Sequence, residues 1–219
     1  MKQIIINTAD GSHTLFVPEL NEHYHSVNGA IIEAKHIFID AGFHFVDKKL
    51  IRILEIGFGT GLNAFLTCVE AINNNVEVYY HSIEKYPINL QTVSKLNYVN
   101  NYETNKRNIF YKMHISHWGK DIDIDKHFIF KKIKTDFNDY NIDEKYDIIY
   151  FDAFSPDVQA EMWELDNFIK LYNCLNPNGI IVTYSAKGIV KRNLRSAGFT
   201  VKRLPGPPGK RHILRAIKE

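Results

Sequence analysis

At 219 residues, with 45% hydrophobic and 24% charged side chains, the chain is long enough for one large domain whose core needs neither disulfides nor a structural metal. No apolar run approaches the ~20 residues that span a bilayer. The first residues (MKQIIINTADGS) do not form a secretion signal. Cys68 and Cys174 suit small apolar core positions in amphipathic helices, so the expected location is the cytoplasm. The net charge of +2 conceals an asymmetry: residues 187–219 carry +9 and residues 1–186 carry −7. Such a split suggests a polyanionic partner, a solvated basic surface being the plainer alternative.

In chain order, Gln3–Asn7 and His13–Val17 flank Asp10-Gly11 and predict a β-hairpin. Apolar residues recur at helical spacing from Asn28 to a stop at Gly42. Ile51–Ile56 reads as a buried strand, followed by a glycine loop and a helix from Leu62 to Asn73. A second strand spans Val76–Ile83, and Pro87 suits the first turn of the next helix. Phe128–Lys134 and Tyr146–Phe151 are further strands. A helix at Leu165–Leu175 ends at Asn176-Pro177-Asn178-Gly179, and a strand follows at Ile180–Tyr184. A helix at Lys187–Ala197 is closed by Gly198. The last strands, Phe199–Leu204 and His212–Ile217, are joined by Pro205–Gly209. Strand–helix alternation predicts an α/β Rossmann-like fold. Its sheet is expected to be mostly parallel and seven-stranded, with the final strand antiparallel because its connection is short. The domain plan is a hairpin-and-helix extension over 1–50 and the core over 51–219, in a single unit.

The strongest local motif is Glu55-Ile-Gly57-Phe-Gly59-Thr-Gly61, at the junction of a strand and a helix. Glycines there permit a tight turn and close approach of a ligand to the backbone. A dinucleotide-binding loop would need glycine where Leu62 stands. The spacing instead resembles the nucleoside-binding loop of class I methyltransferases, which points to S-adenosyl-L-methionine. A turn of purely structural use is the simpler alternative.

Glu84 ends the second strand, where a carboxylate can accept from both ribose hydroxyls. Asp136 follows the third and can accept from an adenine amino group. Asp152, in Tyr150-Phe-Asp-Ala-Phe-Ser-Pro156, follows the fourth strand at the topological switch of the sheet. Methyl transfer to an amine requires that nitrogen to lose a proton first, and a nearby carboxylate can take it. Asp152 is therefore the candidate catalytic residue, with a helix N-cap as the structural alternative. Phe137 and Trp118 suit core or pocket wall. His23/His25 and His114/His117 lack further ligands at metal spacing, so no metal is expected.

Taken together, these segments resemble the MnmC-type tRNA methyltransferase domain, whose members finish the methylaminomethyl group on a wobble uridine. The likeness is carried by Tyr24-His-Ser-Val-Asn28-Gly with Glu33, Leu54–Asn63, Ser82-Ile-Glu-Lys85-Tyr-Pro87 and Phe151–Pro156 leading to Glu161-Met-Trp163. It continues in Tyr184–Gly188, Ala197-Gly-Phe199 and Gly209-Lys-Arg-His212. The resemblance implies a cofactor site drawing on Tyr24, Asn28, Glu33, Glu55, Gly57, Gly59, Gly61, Asn63, Glu84, Lys85, Asp136, Phe137 and Asp152. It implies contact with the tRNA anticodon stem-loop through Lys187, Lys191, Arg192, Lys210 and Arg211. Bifunctional members carry an additional FAD-dependent domain, and with the sequence stopping at Glu219 neither FAD nor that activity is expected. The other readings are a small-molecule amine methyl- or aminopropyltransferase and a non-catalytic RNA-binding module of the same fold.

Overall fold

The computed structural model describes residues 2–100 and 102–219. The chain opens with a small antiparallel sheet of β1 (Ile4–Asn7), β2 (His13–Val17) and β3 (Glu22–His23). Asp10 closes the β1–β2 turn, taking the backbone N–H of Ser12 at 2.9 Å and reaching across to that of Ile32 at 3.0 Å. That second bond fixes the hairpin to α1 (Ala30–Ala34), which passes into a π-helical turn at Lys35–Asp40. The single helix expected from Asn28 to Gly42 is thus split in character.

The main sheet begins with β4 (Leu50–Ile56), α2 (Leu62–Asn74) and β5 (Glu77–Glu84). Then come α3 (Leu90–Val93), α4 (Thr104–Ile115), β6 (Ile122–Asp125), β7 (Phe128–Lys134) and β8 (Tyr146–Phe151). The remainder is α5 (Leu165–Cys174), β9 (Leu175–Thr183), α6 (Gly188–Ser196), β10 (Thr200–Pro205) and β11 (His212–Ile217). The strand order is β10-β11-β9-β8-β4-β5-β7-β6, with β11 antiparallel to both its neighbours and β6 antiparallel to β7.

The sheet therefore has eight strands where seven were expected, the extra one being β6 at the edge. Pro87 is not in a helix: α3 starts later, capped by Asn89, whose side chain accepts from the Thr92 N–H at 2.8 Å. The segment 176–179 belongs to β9, bulging where pairing with β8 jumps from Tyr146–Leu175 to Ile148–Ile180.

Because β4 and β8 are covered on both sides, their residues are nearly all buried. One core packs Phe65, Phe110, Tyr80 and Phe128 on the face covered by α2 and α4. The other packs Phe151, Phe168, Leu171 and Leu194 beneath α5 and α6. Each fully buried side chain of this size contributes about 1.5–3 kcal/mol. At the amino-terminal end of β8, Asp147 accepts from Lys48 Nζ (2.6 Å), Arg52 N (2.9 Å) and Asn176 Nδ2 (2.9 Å). That end of the sheet is thus tied down, and the other end is left to the loops. The chain moves outward from β4 to β5 and β7, then returns to β8 on the other side. The switch in direction opens a crevice at the carboxyl ends of β4 and β8. No helix among the described residues is long and apolar enough to cross a membrane.

Candidate active site

A cavity of about 370 Å³ occupies that crevice, within the size range of small-molecule sites. Its floor is the glycine loop. Gly57 has φ +96°, and a Cβ there would stand 2.7 Å from the backbone oxygen of Asp152. Only glycine lets the two loops approach so closely. Gly59 (φ +48°) faces the Tyr24 ring, which a Cβ would meet at 3.0 Å.

Glu84 lies beside this loop. Its Oε2 accepts the Gly59 N–H at 2.8 Å and its Oε1 accepts the Tyr86 N–H at 2.7 Å. Burial raises its pKa against these donors. Each oxygen retains a lone pair. Further along, Lys85 Nζ donates to Asp136 Oδ2 at 2.6 Å and the Asn138 N–H donates to Oδ1 at 2.9 Å. The Lys85 ammonium holds the Asp136 carboxyl below its ordinary range. Phe137 completes this end of the wall.

Asp152 stands at the opposite end. Asn63, on the first turn of α2, donates from Nδ2 to Asp152 Oδ2 at 2.8 Å. Burial pushes the Asp152 carboxyl well above the usual carboxylate range, with Asn63 opposing and the nearby Glu55 adding to the rise. Tyr24 and Phe154 meet edge to face at 5.2 Å in the wall. The Tyr184 hydroxyl donates to the Ala153 carbonyl at 2.9 Å. Lys210 reaches in from the β10–β11 loop to pair with Glu33 at 2.9 Å, its ammonium 5.2 Å from the centre of the Tyr184 ring.

Three residues expected at the cofactor are off the cavity wall. Glu55 is fully buried beneath the loop, accepts from Ser82 Oγ at 2.6 Å, and has its pKa pushed up to about 8 by burial. Gly61 (φ +74°) is turned toward His114, whose Nε2 a Cβ would meet at 2.7 Å. Asn28 packs its amide against Gly209 instead. Lys210, expected on an RNA-facing surface, is a cavity residue, while Arg211 is exposed. Lys187 is paired with Asp157. Lys191 and Arg192 on α6 make no ion pair among the described residues, and Arg195 and Arg203 beside Lys191 pull its pKa down. Sequence reasoning passed over Phe154, Tyr184 and Gln159 as cavity residues. The signal available was their position just beyond the carboxyl ends of β8 and β9.

The residues present suit S-adenosyl-L-methionine. The molecule needs an acceptor for its ribose hydroxyls, another for its adenine amino group, a close backbone approach and acidic surroundings for its sulfonium. Glu84, Asp136, Gly57/Gly59 and the acid Asp152 are of those kinds and line one cavity. Among the described residues, no group of three or more His, Cys, Asp or Glu is placed to hold a metal ion.

Comparison with known proteins agrees with this chemistry. The chain is 26% identical to the tRNA 5-methylaminomethyl-2-thiouridine biosynthesis bifunctional protein MnmC of Campylobacter fetus, over 94% of this chain and 34% of the relative. It is 30% identical to the protein of the same name from Leptospira borgpetersenii, over 87% of this chain and 31% of that one. The chain thus spans about a third of the length of these curated relatives. The crystal structure of MNMC2 from Aquifex aeolicus superposes with a TM-score of 0.74 at 27% identity, over 98% of this chain and 70% of that chain. Spermidine synthase from Thermotoga maritima, at 12% identity and TM-score 0.59 over 100% of this chain and 72% of that one, shares the fold alone. A family model described as S-adenosyl-L-methionine-dependent methyltransferase matches residues 88–219. The chain belongs to that family of methyltransferases.

Proposed function

We propose that the protein methylates the 5-aminomethyl nitrogen of a wobble (2-thio)uridine in tRNA, giving 5-methylaminomethyl-(2-thio)uridine. The observation that carries this reading is Asp152: a carboxylate with raised proton affinity in the methyltransferase cavity, oriented by Asn63, in a wall that also holds Phe154 and Tyr184. The cofactor, when bound, supplies an electrophilic methyl group on sulfur.

In this reading Glu84 accepts from the ribose hydroxyls and Asp136 from the adenine amino group. Gly57 and Gly59 let the methionine end lie against the backbone. The ammonium form of the acceptor gives a proton to Asp152. The nitrogen lone pair freed in this way would then be available to the methyl group that the bound cofactor would supply. A carboxylate desolvated to this degree is a stronger base than one in water, which suits it to that exchange. Tyr24, Phe154 and Tyr184 present ring faces and edges against which a pyrimidine lifted from its stack can pack. The names of the MnmC relatives support a tRNA acceptor, and the excess of positive charge after residue 187 supports a polyanionic one.

The test is transfer of labelled methyl from S-adenosyl-L-methionine to tRNA from a strain lacking this chain, followed by nucleoside analysis. Label in methylaminomethyl-uridine is expected. Label confined to another nucleoside, or to a small amine and not to tRNA, would overturn the proposed substrate.

A further inference from the structure

A second cavity, of about 390 Å³, lies next to the first, with Phe58 in the wall of both. The first site makes no use of it. Lys132 of β7 lines it, although only 1% of that residue is exposed. The Lys132 ammonium donates to the backbone oxygen of His114, in the last turn of α4, at 2.6 Å. It also sits 4.6 Å from the ring centre of Trp118 and 5.9 Å from that of Phe58. An ammonium has three protons to donate. Among the described residues, one carbonyl is its hydrogen-bond partner, and it takes part in no ion pair. A buried charge is costly unless paired, and here no fixed carboxylate does so. Burial alone pulls its pKa down to about 8, which leaves it mostly charged at neutral pH.

The rest of the cavity differs in character. Ile115 is 66% exposed and Leu90 54% exposed at its rim, and Trp118 forms an aromatic wall beside Ser116 and His117. The site thus has a cationic floor and an apolar, aromatic mouth. A bare anion would satisfy the floor and leave the mouth in water. An uncharged ring would do the reverse.

We propose that this second cavity is a nucleotide-binding site, in which Lys132 takes a phosphate oxygen and Trp118, Leu90 and Ile115 cover the base and sugar. The proposal concerns a different cavity from the methyl acceptor's and stands or falls separately from it. The phosphate and base can belong to a free mononucleotide or to one residue of an RNA chain, and binding measurements separate these sources.

The test is calorimetric titration of the full chain with uridine 5′-monophosphate, uridine and inorganic phosphate, with S-adenosyl-L-homocysteine saturating the first cavity. The monophosphate is expected to bind, and uridine and phosphate to bind at least about tenfold more weakly. Lys132→Met should weaken the monophosphate by about tenfold or more. Ile115→Glu places a carboxylate on the exposed rim and should also weaken it. That surface change decides the matter if Lys132→Met does not fold. A short oligouridylate that competes with the monophosphate identifies an RNA-borne nucleotide, and one that does not compete identifies a free one; both results uphold the site. Four results would overturn it: no binding of the monophosphate, its displacement by excess S-adenosyl-L-homocysteine, equal affinity for uridine, or no weakening in Ile115→Glu.

Discussion

Asn63 on α2 and Asp152 at the end of β8 are joined by a 2.8 Å hydrogen bond, so the helix that follows the glycine loop also aims the candidate base. The bond favours the ionised carboxylate while burial disfavours it.

Asp152→Asn should therefore lower kcat by about 10²–10⁴-fold, the range for loss of a general base, with cofactor affinity changed little. Single-turnover methyl transfer and calorimetry measure the two quantities. Turnover at the native level in that variant would remove Asp152 from the chemistry.

Removal of the Asn63 donor bears on pH. A raised pKa leaves the carboxylate ionised only above an elevated pH, so kcat/KM should climb on a limb above the ordinary carboxylate range. Asn63→Ala takes away a hydrogen bond that lowers the Asp152 pKa, and should move this limb to higher pH. Profiles of the two proteins against one RNA share the acceptor amine's own titration, so only the displacement between them counts.

Glu84→Gln keeps the size of the side chain and removes its charge. Loss of charge-assisted acceptance from two hydroxyls should weaken S-adenosyl-L-methionine by about tenfold or more. Calorimetric Kd is the measurement, and circular dichroism checks that the Gly59 loop is intact. An unchanged Kd would place the ribose elsewhere.

Lys191 and Arg195 on α6 and Arg203 on β10 form an excess of positive charge, whereas Lys187 and Lys210 are already paired with acids. Lys191→Glu combined with Arg195→Glu should weaken tRNA binding and lessen its salt dependence, the slope falling by about 1 for each phosphate that is no longer neutralised. Filter binding at several salt concentrations measures this. Cofactor affinity should not move.

Acid stability should reflect His114, whose Nε2 bonds the Thr60 carbonyl at 3.1 Å. Burial pulls its pKa down to about 3, with Lys132 adding to the drop. The unfolded chain takes up this proton first, near pH ~6.5. Stability is then full above that pH and is lost as pH falls toward about 3, at up to ~1.4 kcal/mol per pH unit. Urea titrations between neutral and mildly acid pH should show this decline, and His114→Gln should flatten it. His25, lowered to about 4 by burial, adds to the same slope.

The parallel strands were legible because β4 and β8 are short, mostly apolar stretches, and β4, β5 and β8 each have a glycine loop or an acid at the carboxyl end. Those ends also carried the site: Gly57, Glu84, Asp136 and Asp152 follow strands whose order brings them together. The region between β5 and β7 was not legible. In α4 only Phe110, Met113 and His114 are buried, so its helical period is faint among polar residues. The edge strand β6, Ile-Asp-Ile-Asp, has only Ile124 buried. The position of Glu55 was hidden for another reason. Both faces of β4 are buried, so alternation does not reveal that Glu55 points away from the ligand side. Lys210 looked like part of a basic tail, and only the closure of β10 on β11 shows that its loop turns inward to Glu33.

The Lys210–Glu33 pair joins segments that a ribosome makes at widely separated times. Tyr24 and Glu33 emerge early, the glycine loop and Glu84 next, Asp152 later, and Lys210 only after β10 has been made. A nascent chain can therefore build the centre of its sheet well before it owns a complete cavity. Truncated products that stop before the β10–β11 loop would hold the acids of the site without the cation that neutralises Glu33. The cavity wall is therefore complete only when β10 and β11 have closed on each other and brought Lys210 to Glu33.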